Sequence, residues 1–385
     1  MSGIYIHIPF CKQACHYCNF HFSTSLRYKN ELIAALLREI ELVTDFFPEA
    51  KKLAGRVETI YFGGGTPSLC SNDEIRSVLR QIKTHFTVAP DAEITLEANP
   101  DDITEERLEK WKLAGITRLS IGIQSFFEED LVWMNRAHNS RQAWDSLVTA
   151  TKYFDNITID LIYGTPGLTD EKWKQNVDRV FQLGIPHISC YALTVEPKTP
   201  LHKLIREHKA ADVNPDQQSE QFLLLMKWAE EAGFEHYEIS NFAKPGFRSR
   251  HNSSYWQGKP YFGFGPSAHS FDGSSRWWNI ASNPSYIRSI ESGNIPFEKE
   301  ELTPVQQVNE MIMISLRTAE GLNTARIVNE IHGIAEDEIL RIKQTLLEAT
   351  AKYIKNGLMI RDGDWLRLTK EGRLLADGIA ADLFL

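Results

Sequence analysis

Short runs of β-branched and aromatic residues alternate with longer amphipathic stretches over the first 240 residues of the chain. Runs of the first kind predict strands, and apolar positions that recur every three to four residues predict helices. Seven strands are predicted in this way, at Ile4–Ile8, Val57–Phe62, Glu93–Glu97, Arg118–Ile123, Thr158–Ile162, Ile188–Leu193 and Glu235–Ile239. Six helices are predicted between them, at Tyr28–Phe46, Asn72–Phe86, Thr104–Leu113, Ser140–Tyr153, Glu171–Phe181 and Asp216–Glu231. This alternation indicates βαβ units around a parallel sheet.

Polar and glycine-rich residues follow the predicted strands one after another. Cysteines follow the first strand, Gly63–Pro67 follows the second, and Glu97–Pro100 ends the third. Gln124-Ser125 ends the fourth strand, and Asp160 lies in the fifth. Such residues at successive strand ends are typical of the active face of a (β/α) barrel, whereas a doubly wound sheet concentrates them at one switch point. The sequence therefore favours an α/β fold built on a parallel barrel, complete or incomplete.

The pattern changes after residue 240. Residues 241–297 are rich in Gly, Pro, Ser and aromatic residues and show little periodicity, which predicts an irregular connecting region. Helical patterns return after Pro304 and are followed by a hairpin that turns at Asp362-Gly363, as in a winged helix. The predicted organisation is a barrel over residues 1–240, the connecting region, and a winged-helix-like C-terminal domain over residues 298–385.

Composition narrows the class of protein. The 385 residues are 42% hydrophobic and 24% charged, with a formal net charge of −9. An excess of acidic residues argues against broad attraction to phosphate backbones, so no nucleic-acid partner is expected. No apolar run approaches the ~20 residues of a membrane-spanning helix, and the N-terminus lacks the pattern of a signal peptide. We therefore expect a cytoplasmic protein without a transmembrane segment.

Three of the five cysteines, Cys11, Cys15 and Cys18, are crowded near the N-terminus with the spacing C-x3-C-x2-C. In a reducing compartment such a cluster indicates metal binding or catalysis before disulfides. Three neighbouring thiolates can hold an iron–sulfur cubane and leave its fourth iron open to a ligand. Zinc is the metal alternative, although structural zinc usually takes two C-x2-C pairs and only one is present here. The spacing also matches one face of a helix, but Pro9 and the flanking His16 disfavour such a helix.

Together with the glycine run after the second strand, the cysteine motif resembles that of the radical S-adenosylmethionine (SAM) superfamily. The resemblance extends over essentially the whole chain to the HemN/HemW family of that superfamily. The segments that carry it are Tyr5–Cys11, Gly63–Pro67, Glu97–Pro100, Ser120–Ser125 and Asp160–Gly164. It implies a radical-SAM barrel with a [4Fe–4S] cluster on the three cysteines.

The same resemblance implies a binding site for SAM. The residues that it assigns to this site are Tyr5, Tyr17, Gly63, Gly64, Gly65, Thr66, Glu97, Gln124, Arg136 and Asp160. Their chemistry is suitable, because Glu97 and Asp160 can accept hydrogen bonds from ribose hydroxyls and Arg136 can pair with a carboxylate. Taken singly, each of these three charged residues is more often a surface charge or a structural partner.

The family has two branches with different functions. The oxidase branch, oxygen-independent coproporphyrinogen III dehydrogenase, carries a further cysteine two residues after the third and an N-terminal extension. Phe20 occupies that position here, and only three residues precede Ile4. Both differences resemble the heme-chaperone branch, HemW, and imply heme binding and delivery to acceptor heme proteins, with respiratory proteins as candidates by analogy. A radical SAM oxidase is the alternative, and productive cleavage of SAM and the oligomeric state are left open.

The segment His251–Trp256 matches the H-N-x-x-Y-W motif of the chaperone branch, which is linked to heme binding. Histidine is a common axial ligand of heme iron, and aromatic side chains can pack on the macrocycle. His251 is therefore the candidate heme ligand, although a histidine beside aromatic residues is more often structural. His269, His7 and Cys190 are weaker candidates.

Overall fold

The computed structural model describes residues 2–46, 55–331 and 334–385. Its strands are β1 (Ser2–Ile8), β2 (Val57–Gly64), β3 (Val88–Ala98), β4 (Arg118–Gln124), β5 (Ile157–Tyr163), β6 (His187–Ala192), β7 (Glu235–Glu238), β8 (Asn241–Ala243), β9 (Tyr261–Phe264), β10 (His269–Phe271), β11 (Ser275–Asn279), β12 (Phe297–Glu301), β13 (Leu322–Asn323), β14 (Met359–Asp362) and β15 (Trp365–Leu368).

The helices lie between these strands and after them. They are α1 (Lys29–Phe46), α2 (Asn72–His85), α3 (Glu105–Ala114), α4 (Glu128–Trp133), α5 (Ser140–Ala150), α6 (Asp170–Gln182), α7 (Pro200–Arg206), α8 (Pro215–Glu231), α9 (Arg250–Trp256), α10 (Asn283–Glu291), α11 (Pro304–Leu316), α12 (Thr324–Glu330), α13 (Glu336–Lys355), α14 (Lys370–Arg373) and α15 (Ala376–Asp382). In the ranges that the structure describes, no helix is long and apolar enough to cross a membrane.

Seven parallel strands form the centre of one large sheet, in the order β9-β1-β2-β3-β4-β5-β6. Antiparallel strands extend it on both sides, with β12 at one end and β7 at the other. In the described parts of the chain these two end strands do not pair with each other, so the barrel is incomplete. The βα alternation and parallel pairing of β1 to β6 confirm the α/β fold expected from the sequence.

Local sequence signals position the helices that cover this sheet. At the start of α2 the Ser71 side chain accepts a hydrogen bond from the Glu74 amide at 3.2 Å, and Glu74 accepts one from the Ser71 amide at 2.6 Å. This reciprocal capping satisfies amides that the helix leaves free. The buried face of α2 consists of Ile75, Val78, Leu79 and Ile82. Their spacing of three and four residues turns this face towards the core.

The structure differs from the sequence prediction in two places near the end of the barrel region. The predicted strand at residues 235–239 is not a seventh parallel strand, because β7 pairs antiparallel with β8, which itself pairs antiparallel with β6. The seventh parallel strand is β9, which pairs with β1 on the other side of the sheet. It lies within residues 241–297, which were expected to be irregular but hold α9, α10 and four strands of the main sheet.

The C-terminal residues have a core of their own. Helices α11, α12 and α13 are followed by the hairpin β14–β15, and β13 pairs with β15, which gives the winged-helix-like order of elements. The hairpin turns at Gly363, whose φ of 59° suits glycine. Two backbone hydrogen bonds join this part to the main sheet, from Ile239 N to Arg317 O at 3.0 Å and from Ala319 N to Tyr237 O at 2.9 Å. The domain boundaries drawn from the sequence stay a prediction.

Candidate functional site

Cys11, Cys15 and Cys18 lie in the loop that follows β1, at the carboxyl ends of the parallel strands. Backbone hydrogen bonds hold both ends of this loop, because Cys11 N donates to Ser23 O at 3.0 Å and Ser23 N donates to Pro9 O at 2.9 Å. All three cysteines border a cavity of about 460 Å³. We call this cavity, which the ends of β2 to β6 also line, the upper cavity.

The cysteine loop fits a cubane better than a single metal ion. All three thiols are free and partly accessible. In the described part of the chain no three Cys, His, Asp or Glu side chains are close enough to hold one ion, so the zinc alternative has no preformed site. A [4Fe–4S] cubane holds its iron atoms at alternate corners, and each thiolate binds a different iron, so the thiolates are spaced more widely than around one ion. Burial raises the pKa of the Cys11 thiol to about 11, so cluster binding must release its proton.

The glycine run after β2 packs directly against the cysteine loop. Gly65 N donates to Ile8 O at 2.9 Å, and Thr66 N donates to Phe10 O at 2.7 Å. A Cβ atom at Gly65 would lie 2.6 Å from Phe10 O, so a side chain does not fit there. Gly64 has a φ of +106°, a backbone conformation that glycine adopts without strain. Two consecutive glycines are therefore needed to bring this loop against the cysteines.

Arg136 extends a buried guanidinium group into the upper cavity. Its Nη1 lies 3.4 Å from Cys15 Sγ and 3.3 Å from Tyr17 Oη, while Nη2 donates to Gly122 O at 2.8 Å and to Asn99 Oδ1 at 3.0 Å. No carboxylate in the described chain forms an ion pair with it, and its Nε has no hydrogen-bond partner there. A buried cation without a counter-charge is costly, so this geometry suits an anionic ligand.

Glu97 and Asp160 place two carboxyl groups in the same cavity. Tyr61 donates a hydrogen bond to Glu97 Oε1 at 2.8 Å, and Ser120 donates to Asp160 Oδ2 at 3.4 Å. Burial is the main cause that raises the pKa of Glu97 to about 8 and that of Asp160 to about 6. At neutral pH one carboxyl is therefore largely protonated and the other ionised, so the pair can both donate and accept hydrogen bonds.

The other predicted SAM residues divide into two sets. Tyr17, Gly64, Gly65, Thr66 and Gln124 border the upper cavity. Gln124 ends β4 with a φ of 65°, where the register with β5 shifts.

Tyr5 and Gly63 lie behind the cavity wall. The ring of Tyr5 stacks on that of Tyr61, with 6.2 Å between centroids, and a Cβ at Gly63 would lie 2.9 Å from both rings. These two residues therefore shape the wall and do not border the cavity.

Sequence reasoning did not select three residues that border the cavity, Asn99, Ser120 and Tyr191. Asn99 accepts a hydrogen bond from Arg136 and donates one to Thr66 Oγ1 at 3.4 Å, so it positions both. Asn99 follows the third predicted strand and Tyr191 lies near the end of the sixth, and that position was the available signal. Ser120 is the third residue of the fourth predicted strand and carried no such signal. Tyr191, at the end of β6, is 43% exposed at the mouth.

Comparisons with known proteins agree with this geometry. The family model of the radical SAM superfamily matches residues 5–180, and that of the HemN C-terminal domain matches residues 302–375. The solved structure of coproporphyrinogen III oxidase (HemN) from Escherichia coli matches with a TM-score of 0.83, over 100% of this chain and 90% of that chain. At 24% identity this likeness shows the fold alone.

The sequence relatives are more specific. The heme chaperone HemW of Mycobacterium tuberculosis is 35% identical over 99% of this chain and 94% of the relative. HemW of Bacillus subtilis is 33% identical over 98% of both chains. This chain belongs to the HemW family. As a radical SAM protein of the HemW family it has a [4Fe–4S] cluster and SAM as its cofactors. Which residue contacts which cofactor stays a prediction that the upper cavity supports.

The HemW-type motif at His251–Trp256 lies at the opposite end of the strands from the cysteines. It forms α9, and the His251 side chain enters the amino-terminal end of the barrel, where its Nδ1 lies 2.8 Å from Thr59 Oγ1. Its Nε2 lies 2.8 Å from Tyr255 Oη, and its ring stacks on Tyr61 with 5.0 Å between centroids. Burial lowers the pKa of His251 to about 3, so the ring is neutral.

Both ring nitrogens of His251 are thus occupied, and the residue is 1% exposed. Iron ligation by His251 in this HemW relative stays a prediction, and it requires one of the two hydrogen bonds to open. Among the weaker candidates, His7 and Cys190 are also buried. His269 is exposed, and its ring stacks on Trp278 with 5.8 Å between centroids.

Proposed function

We propose that this chain is a heme chaperone, which binds heme and passes it to acceptor heme proteins. The observation that carries the proposal is the similarity to HemW at 33% to 35% identity over nearly the full length of both chains. That similarity covers the barrel and the C-terminal domain together, so it concerns the whole architecture and not the cofactor site alone.

The residue at position 20 also favours the chaperone over the oxidase. Phe20 borders the mouth of the upper cavity and is 65% exposed, in the position where the oxidase branch carries a further cysteine. A phenyl ring cannot donate a thiol to metal or substrate. The oxidase chemistry of that branch therefore lacks one of its groups here.

In the upper cavity the chain's own residues supply a binding site for SAM. Arg136 offers an unpaired cation for the methionine carboxylate, and Glu97 and Asp160 offer carboxyl groups for the amino group and the ribose hydroxyls. When bound, the cluster would supply one electron for reductive cleavage of the SAM sulfonium. The backbone hydrogen bonds between the cysteine loop and the glycine run hold these groups together.

We place the protein in the cytoplasm and expect respiratory heme proteins among its acceptors, by analogy with the family. The excess of acidic residues is the support for a protein partner over a nucleic acid. The expectation of respiratory acceptors depends on heme binding, whereas the cytoplasmic location does not.

Titration of the anaerobically reconstituted protein with hemin tests the proposal. We expect a Soret band that saturates at one equivalent of hemin per chain. The same preparation, incubated with coproporphyrinogen III, SAM and a reductant, is expected to form no protoporphyrinogen IX. Production of protoporphyrinogen IX would assign the chain to the oxidase alternative, and the absence of any saturable Soret band would refute the chaperone.

A further inference from the structure

A second cavity, of about 330 Å³, lies at the amino-terminal end of the barrel, between α9, the β9–β11 strands and the C-terminal domain. We call it the lower cavity. Its volume falls within the ~300–1,000 Å³ typical of sites for small molecules and cofactors. Its walls are mainly aromatic and aliphatic, formed among others by Tyr255, Trp256, Tyr261, Phe271, Met311 and Ile314. An aromatic-walled cavity of this kind suits a flat apolar ligand.

The H-N-x-x-Y-W motif divides between the barrel and this cavity. His251 is turned into the barrel, where Thr59 and Tyr255 bind its two ring nitrogens. Tyr255 and Trp256 border the lower cavity instead. Tyr255 therefore connects the two, because its hydroxyl binds His251 while its ring packs edge-on against Tyr261, with 4.6 Å between centroids. In this arrangement His251 fixes α9 to the barrel, and Tyr255 and Trp256 form part of the wall of the lower cavity.

Polar groups at the lower cavity are suited to carboxylates. Lys259 borders it, and in the described chain its ammonium group has no ion-pair partner. Arg326 borders it as well but is already paired with Glu330 at 2.8 Å, and Glu330 also borders the cavity. Arg276 also borders it but is already paired with Glu310 at 2.6 Å. The Nε1 atom of Trp256 is buried without a hydrogen-bond partner among the described residues. An indole N–H can only donate, so an acceptor such as a carboxylate oxygen is the partner that it lacks.

We propose that the lower cavity, and not the ring of His251, receives the heme macrocycle, an inference that rests on the heme-chaperone function proposed above. The porphyrin packs against Tyr255, Trp256 and Ile314, and its propionates approach Lys259 and the indole N–H of Trp256. The ligand class is thus a planar, apolar dicarboxylate. Because this cavity is bordered by both the sheet and the C-terminal domain, the inference also gives the C-terminal domain a role.

Two substitutions at the lower cavity test its apolar wall and its charge separately. Ile314→Trp fills the cavity and is expected to raise the Kd for hemin about tenfold or more, since overpacking excludes the ligand. Lys259→Glu places a carboxylate beside the propionates and is expected to raise the Kd for hemin about fivefold. The same variant is expected to bind hemin dimethyl ester, which lacks the two charges, as tightly as the wild type does.

Matched controls lie on α8, away from the cavity. Leu223→Trp introduces the same side chain at an exposed position, and Lys227→Glu makes the same change of charge. Both are expected to bind hemin like the wild type. Far-UV circular dichroism and the thermal midpoint of each variant show whether it is folded. Lys259 is only partly buried, so its variant keeps the test available if Ile314→Trp fails to fold.

The last experiment repeats the hemin titration with saturating SAM. Because the proposed SAM site lies at the other end of the barrel, the Kd for hemin is expected to stay unchanged. Competition by SAM, or variants that bind hemin as tightly as their α8 controls while the wild type binds it, would overturn the assignment of the cavity and leave the chaperone function in place. A wild type without any Soret band would instead refute the function.

Discussion

The two ends of the incomplete barrel both bury polar side chains, but they satisfy them in different ways. At the amino-terminal end the partners come from the chain itself. His251 is bound by Thr59 and Tyr255, and the buried His187 lies 3.0 Å from Thr158 Oγ1 and 2.8 Å from Tyr237 Oη. The ring nitrogens of these two histidines are therefore satisfied without a ligand, and neither histidine borders the lower cavity.

At the carboxyl-terminal end several buried groups lack the partner that their charge requires. Arg136 forms no ion pair with a carboxylate among the described residues. The pKa of Glu97 is raised to about 8, mainly because its carboxyl group is buried. The three free thiols of Cys11, Cys15 and Cys18 lie beside them. Buried polar groups in native proteins are nearly always paired, so an end that is not self-sufficient indicates a site for ligands. The comparison separates polar residues that stabilise the fold from those that bind.

The largest expected effect concerns the cysteines of the ligand-binding end. Cys18→Ala should abolish the [4Fe–4S] cluster after anaerobic reconstitution, because two thiolates cannot hold the cubane in place of three. Iron and sulfide analysis, together with the absorbance near 400 nm, measures the loss. The free energy of unfolding of the cofactor-free protein should change little, since Cys18 is partly accessible.

Cys70→Ala is the matched control, because Cys70 is buried in the main core away from the loop. It should keep a full complement of iron and sulfide although it lowers stability. A Cys18→Ala protein that still holds four iron atoms per chain would remove the assigned ligand set, and with it this half of the comparison.

The second prediction tests the self-sufficient end. Glu93 accepts hydrogen bonds from the backbone amides of Arg250 at 3.1 Å and His251 at 3.0 Å, and its carboxylate lies 4.0 Å from Arg118 Nε. Glu93→Ala leaves these groups buried and unpaired, so the free energy of unfolding should fall by about 3 kcal/mol. Urea denaturation measures the change.

Glu58→Ala, a substitution in the neighbouring strand β2, serves as control and should change the free energy of unfolding by less than about 0.5 kcal/mol. The affinity of folded Glu93→Ala for SAM should stay close to that of the wild type. If this variant is as stable as the wild type, the amino-terminal polar layer does not stabilise the fold.

The ligand-binding end was far easier to predict from the sequence than the structural end. The six strands β1 to β6 are marked by runs of β-branched and aromatic residues, and the cysteines and glycines follow them in short loops. Their meeting at one edge therefore follows from parallel pairing alone. Glu93, Arg118 and His187 could not be recognised in the same way. Each is a single polar residue in a strand, and the sequence does not distinguish a buried from a solvent-facing position for it. Its burial depends on long-range pairing.

The region around α9 shows a second limit of the sequence. Strand β9 has four residues, including Gly263, and strand β10 has three, so neither gives a measurable period. A Cβ atom at Gly263 would lie 2.1 Å from His269 O. The glycine therefore marks a close approach of the β9 and β10 backbones and not a flexible loop. The pairing of β9 with β1 joins segments more than 250 residues apart, which no local pattern can reveal.

The smallest expected effect is also the most specific for the ligand-binding end. Arg136→Lys keeps the positive charge but cannot bind Gly122 O and Asn99 Oδ1 while presenting a planar pair of donors to a carboxylate. The Kd for SAM should therefore rise about tenfold, which corresponds to about 1.4 kcal/mol, with the cluster and the free energy of unfolding nearly unchanged. Isothermal titration calorimetry under anaerobic conditions measures this change in Kd.

Arg141→Lys, whose side chain is 89% exposed on α5, is the control and should leave the Kd unaltered. If Arg136→Lys lowered stability as much as Glu93→Ala and left SAM binding intact, Arg136 would be a structural residue, and the two ends of the barrel would not differ in kind.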